Sequence, residues 1–273
     1  MIYDDTQCTL GEGPLWHPLR GELFWFDILG KRLHSKTRHW QFNEYVSAAG
    51  WVDVDTLLVA SQTALIRFDL RDGRQTRLCD LEADNPGTRS NDGRADPQGG
   101  FWIGTMGIGA ETDAGAIYRY YKGELRQLFA PISISNAICF APDGTTAYFT
   151  DTPTQKIMRV ALDAQGWPKG EPVLHIDLSA TDFRPDGAVV DAQGNLWNAQ
   201  WGAGRVAGYA PDGGFITSFD FTARQTSCPA FGGDDLSTLY CTSAATGLDG
   251  ADEGKTYTTP TTYKGQAEHQ VIL

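Results

Sequence analysis

The sequence has no run of about 18 apolar residues, so nothing in it reads as a membrane-spanning helix. It has no clustered basic segment either. The 22 Lys and Arg residues are scattered and outnumbered by 34 acids, giving a formal net charge of −12. Such a surface repels nucleic acid and anionic lipid, so neither is expected as a partner. The five cysteines (Cys8, Cys79, Cys139, Cys228, Cys241) are odd in number and include no Cys-x-x-Cys pair. That excludes a disulfide framework and a zinc finger as first readings, and suits reduced thiols in a cytoplasmic protein. The opening Met1-Ile2-Tyr3-Asp4-Asp5 lacks the basic and apolar regions of a signal peptide. There is no Gly-x-Ser-x-Gly motif, and His17, His34, His39, His175 and His269 are dispersed without an obvious partner, so a serine-nucleophile reading has no support. His17, before Pro18, reads as a turn or rim residue. The glycine-rich stretch 104–109 leads into Ala110-Glu111-Thr112-Asp113 rather than a helix, which removes the phosphate-loop and dinucleotide readings.

What the sequence does have is turns and aromatics: 31 glycines, 13 prolines, 8 tryptophans, 10 tyrosines and 13 phenylalanines. Aromatics suit half-buried pleated strands and Gly and Pro punctuate them, so the composition reads as all-β. Six segments resemble one another: residues 18–27, 52–60, 96–105, 142–151, 191–199 and 233–242. Each is a turn feeding an apolar or aromatic strand, and successive copies lie roughly 33 to 49 residues apart. That is close to one propeller blade per copy. Between the copies, residues 64–69, 116–121, 156–161 and 205–209 alternate apolar and polar side chains, the period-2 mark of a further strand. Four strands per repeat and six repeats predict an all-β, six-bladed β-propeller occupying 1–273 as one domain. A β-sandwich offers no reason for six spaced copies. The strand around Ile2-Tyr3 is expected to complete the last blade together with residues 256–259 and 270–273.

In a propeller the innermost strands converge on a central channel, so polar residues distant in sequence can meet there. Glu12, Asn91, Asn136 and Asp186 each stand just before an apolar strand, about one blade apart. Two carboxylates and two amides form a hard oxygen-donor set suited to Ca²⁺, Mg²⁺, Mn²⁺ or Zn²⁺. The same residues also fit a plainer reading, because Asp-Gly and Asn-Asp-Gly are common turn signals. Trp16, Trp25, Trp51, Trp102 and Trp197 read as packing residues, whereas Trp40 and Trp201 are candidates for a channel mouth.

Taken together, Leu10-Gly11-Glu12-Gly13-Pro14-Leu15-Trp16, Arg89-Ser90-Asn91-Asp92-Gly93, Ile134-Ser135-Asn136, Pro185-Asp186-Gly187 and Phe231-Gly232-Gly233-Asp234 form a recognisable series. With these motifs in this order, the chain resembles the regucalcin (senescence marker protein)/gluconolactonase family of six-bladed propellers from about Leu10 to Gly247. The resemblance implies a lactonase that uses one divalent metal ion to open a small-molecule sugar lactone. It implies Glu12, Asn136 and Asp186 as metal ligands, Asp186 also as the base toward water, and Arg89 and Asn91 as substrate-binding residues. Where some members carry a substrate-touching glutamate after Gly-Thr-Met, Gly107-Ile108-Gly109 intervenes here and Glu111 is the nearest equivalent. A non-enzymatic Ca²⁺-binding propeller and a metal-dependent hydrolase of non-sugar esters are the competing functions. A guanidinium beside the cation opposes cation binding, which weighs against a pure calcium buffer. A monomer is compatible with such a channel.

Overall fold

The apolar stretches of the six repeats are too continuous to leave one face wet. Each proves to be the second strand of a four-stranded antiparallel sheet: Glu22–Asp27, Thr56–Ser61, Phe101–Gly107, Thr146–Asp151, Leu196–Trp201 and Thr238–Ser243. In Glu22–Asp27, Phe24 and Phe26 pack toward the next sheet, while Leu23 and Trp25 pack toward the preceding one. A strand covered on both faces has no reason to alternate polar and apolar residues. The computed structural model describes residues 1–273 and arranges these six sheets as the blades of a propeller, blade 1 beginning at Gly11.

The core is therefore six cores, one in each seam between neighbouring blades. The seam between blades 6 and 1 is the smallest, with five buried apolar residues. Tyr3 and Trp16 supplement it through edge and stacked contacts with Tyr240, at centroid distances of 5.0 and 5.7 Å. The repeated Asp-x-x-Gly turns also have a physical reason. Asp96 Oδ1 accepts the N–H groups of Gln98 and Gly100, both at 2.9 Å, and Asp191 does the same for Gln193 and Asn195. The glycines Gly99 and Gly194 take φ values of 89° and 86°, which only glycine adopts without cost.

Ile2–Asp4 pairs with Thr256–Pro260 and becomes the outermost strand of blade 6, as expected. Residues 270–273 do not join that blade, contrary to expectation. Their segment crosses the closed end of the channel instead, making single contacts with one blade after another. Gly265 bridges to Asp191, and Gln266 Nε2 donates to the carbonyls of Phe140 and Val190. Glu268 forms a buried ion pair with Arg94, Trp51 Nε1 donates to the Glu268 carbonyl at 2.7 Å, and Val271 is buried in the seam between blades 2 and 3. Apolar Val271-Ile272-Leu273 looks like a strand in sequence, but only Val271 is buried, while Ile272 and Leu273 are exposed. His17 is likewise no rim residue: it is wholly buried, with Nε2 3.0 Å from the Asp53 carbonyl oxygen. Trp40 is packed in the seam between blades 1 and 2, edge-on to Phe68, and lines no channel. Trp25, Trp102 and Trp197 are fully buried packing residues, as read from the sequence.

Candidate active site

The innermost strands of blades 1 to 6 are Gly11–His17, Val46–Asp53, Thr88–Ala95, Ser135–Phe140, Arg184–Val190 and Thr226–Gly232. All six slip register by one residue against their second strands, near the same level. A bulge of this kind bends the strand and re-aims the side chains around it. At four of the six slips stand Glu12, Asn91, Asn136 and Asp186, which converge on one cavity of about 450 Å³ at the channel mouth. Arg89 also lines it. Five of the six site residues expected from the sequence are thus brought together, all of them buried.

Glu111 is the exception. It lies exposed on the rim loop, where Oε2 accepts the Gly109 N–H at 3.0 Å, and it does not line the cavity. The tight turn that returns the Ala110 N–H to the Gly107 carbonyl brings Ile108 and Ala110 to the cavity instead.

A chain of hydrogen bonds fixes the amides. Arg89 Nη1 donates to Asn91 Oδ1 at 2.8 Å, and Asn91 Nδ2 donates to the Ser135 carbonyl at 2.8 Å and to Asn136 Oδ1 at 3.1 Å. Asn136 Nδ2 donates to Thr152 Oγ1 at 2.9 Å, and that hydroxyl donates to the Pro185 carbonyl at 2.9 Å. Asn136 therefore turns its oxygen toward the cavity with one lone pair still free. Asn198 Nδ2 bonds the carbonyls of Asp186 and Gly187 and so holds the bulge that aims Asp186.

The carboxylates have no ion-paired partner, and the nearby Arg89 charge does not offset their burial. Burial, then the neighbouring Asp92, pushes the Glu12 carboxyl up to about 8. Burial, then Glu12, holds the Asp186 carboxyl well above the usual range. Arg89 forms no ion pair with either, and burial lowers its own pKa to about 10. Two buried acids whose pKa values burial raises, beside an oriented amide oxygen, fit a hard divalent cation, which would supply further positive charge. The Arg89 Nε atom is buried without an acceptor, so the guanidinium keeps a donor in reserve.

Three residues at the site were not singled out from the sequence. Thr152 lines the cavity and holds Asn136, and its only signal is its place one residue after the fourth repeat. Arg184 lines the mouth two residues before Asp186. Asp92 is buried below, its Oδ2 accepting the Ile138 N–H at 2.7 Å, and its carboxyl is pushed up to about 6 by burial. The Asn-Asp-Gly turn signal concealed it. Trp201 lines the cavity, as its sequence position suggested.

Comparison with known proteins shows the family. Residues 10–245 match the family described as SMP-30/Gluconolactonase/LRE-like region. The chain is 39% identical to an L-arabinolactonase of Azospirillum brasilense, over 89% of this chain and 84% of that one. It is 35% identical to a pentonolactonase of Haloferax volcanii, over 92% and 87%. The crystal structure of a calcium-binding protein, regucalcin, from Agrobacterium tumefaciens superposes with a TM-score of 0.96 at 43% identity, covering 100% of this chain and 97% of that one.

Proposed function

We propose that this chain, which belongs to the SMP-30/gluconolactonase/LRE-like family, opens a sugar-acid lactone to the free acid with the help of one divalent cation. The observation that carries the reading is the convergence of Glu12, Asn136 and Asp186 beside an Arg89 guanidinium with a donor in reserve. The names of the Azospirillum and Haloferax relatives support a lactone as substrate. A cation held by Glu12, Asn136 and Asp186 would polarise the ester carbonyl and make a water more acidic.

The chain's own residues do the rest. Asp186 accepts a proton from the attacking water, a role its position at the cavity floor allows. Arg89 donates to oxygen where negative charge builds as the ring opens. Asn91 spends both of its amide hydrogens on the protein. It therefore orients Asn136 and Arg89, and only its oxygen side remains for substrate. The apolar wall of Leu10, Leu29, Ile108 and Trp201 narrows the approach and limits the water that reaches the floor.

A pH-indicator assay over a panel of γ- and δ-aldonolactones, with EDTA treatment and metal add-back, tests the reading. Ring opening that EDTA abolishes and a divalent cation restores is the expected result. Calcium binding without opening of any lactone would favour the non-catalytic calcium-binding alternative.

A further inference from the structure

We propose that Arg184 selects lactones that carry a second, anionic group on the carbon remote from the ester. The proposal rests on the lactonase reading and names the substrate class within it.

Most polar side chains of the cavity have already spent their donors. Asn91 uses both amide hydrogens, Thr152 donates to the Pro185 carbonyl, and Thr246 donates to the Thr9 carbonyl. Two guanidiniums and the Trp201 indole N–H remain, the guanidiniums at two levels. Arg89 is buried at the floor with the acids, whereas Arg184 lines the mouth, is exposed, and meets no acceptor or aromatic face of the protein. The opposing mouth residues Leu10, Leu29, Ile108 and Ala110 offer no side-chain hydrogen bond. Charged recognition of the outer half of a substrate therefore falls to Arg184.

The spacing suits that task. Arg184 and Asp186 are two residues apart on one strand, and both reach the same cavity. At about 3.3 Å per residue their Cα atoms lie about 7 Å apart along the channel. A lactone whose ester meets Asp186 thus projects its remote carbon toward the Arg184 side chain. A planar guanidinium takes a carboxylate through two parallel hydrogen bonds, a match that a neutral hydroxymethyl group cannot make. The chain as a whole is strongly acidic, at a net −12, so an unpaired cation at the mouth helps an anionic substrate approach there.

The test compares D-glucaro-1,4-lactone with D-glucono-1,4-lactone, and the corresponding galacto pair, in the wild type, Arg184→Gln and Arg184→Lys. In the wild type kcat/KM favours the acid-bearing member of a pair. Arg184→Gln shrinks that ratio about 10- to 100-fold, the usual worth of a charge-assisted hydrogen bond, and Arg184→Lys restores part of it. Added salt weakens the preference, as expected of an exposed charge. A wild-type ratio that favours the neutral lactone, or a ratio Arg184→Gln leaves unchanged, overturns the proposal. If the wild type opens no lactone, the lactonase reading fails. Calorimetric binding of glucarate against gluconate then decides on Arg184 alone: equal affinities refute it, and a glucarate preference lost in Arg184→Gln upholds it.

Discussion

At the mouth of the channel Glu12 and Asp186 are buried without an ion pair, and burial raises the pKa of both, Glu12 adding to the rise at Asp186. At the closed end of the same channel Arg94 and Glu268 are just as buried, but they bond each other. Both arrangements take charge out of water, which costs several kcal/mol per ion unless something compensates. At the closed end the compensation comes from inside the chain, and the result is a fastened crossing segment. At the mouth it has to come from outside, and the result is a place where a cation or a developing charge is welcome. Buried charge alone does not mark a reactive site; buried charge left without its counter-ion does.

The largest effect that would sharpen this contrast is on rate. Asp186→Asn should lower kcat/KM for lactones by about 10³ or more, since it removes a proton acceptor and a ligand together. Its melting temperature should stay level or rise, because an uncompensated acid has gone. A variant that unfolds instead would place Asp186 with the structural charges and break the comparison.

Glu268→Ala should do the opposite. Stranding Arg94 in the interior should cost about 3–5 kcal/mol in denaturant unfolding. The molecules that remain folded should still turn over lactone. Replacing both partners, as Arg94→Met with Glu268→Leu, should recover most of the loss. If the double variant is no more stable than the single one, the pair is not self-compensating.

The smallest effect concerns pH. Glu12 has an ordinary pKa of 4.5 and is pushed up to about 8 in the fold, so the folded chain binds more protons than the unfolded chain between those values. The contribution is stabilising below about pH 4.5 and is lost as pH rises toward about 8. In EDTA the melting temperature should therefore fall across that window, and a divalent cation should oppose the fall. Calorimetry near neutral pH, in buffers of different ionisation enthalpy, should show protons released on cation binding. A flat melting profile in EDTA would mean that the mouth acids are compensated from within after all.

Much of the fold was legible because the repeats obey local rules. Phe24 and Phe26 against Leu23 and Trp25 write a two-faced strand into a few residues, and Asp96 and Asp191 write their turns into five. The mouth was legible for a related reason. Glu12 between two glycines and Asp186 before a glycine are short-range signals, repeated at blade spacing. What was not legible is long-range. Arg94 and Glu268 are 174 residues apart, and nothing local says that residues 265–271 cross the inner strands and that 270–273 stay out of blade 6. His17 was misread, and Asp92 was passed over, because turn-forming neighbours hide burial. Glu111 was carried over by resemblance, and in the fold it lies exposed on the rim loop instead of lining the cavity.

The one-residue slip in every innermost strand has a consequence for how such a molecule can change. Side chains of the apolar seams and side chains that face the axis belong to different positions, so a substitution at a slip leaves the apolar packing between blades in place. Blades 1, 3, 4 and 5 spell the present chemistry with Glu12, Asn91, Asn136 and Asp186, while blades 2 and 6 hold Ser47 and Ser227, whose hydroxyls bond their neighbours. The axis behaves as a short, rewritable word on a fixed chassis, and a new reaction would require new letters rather than a new fold.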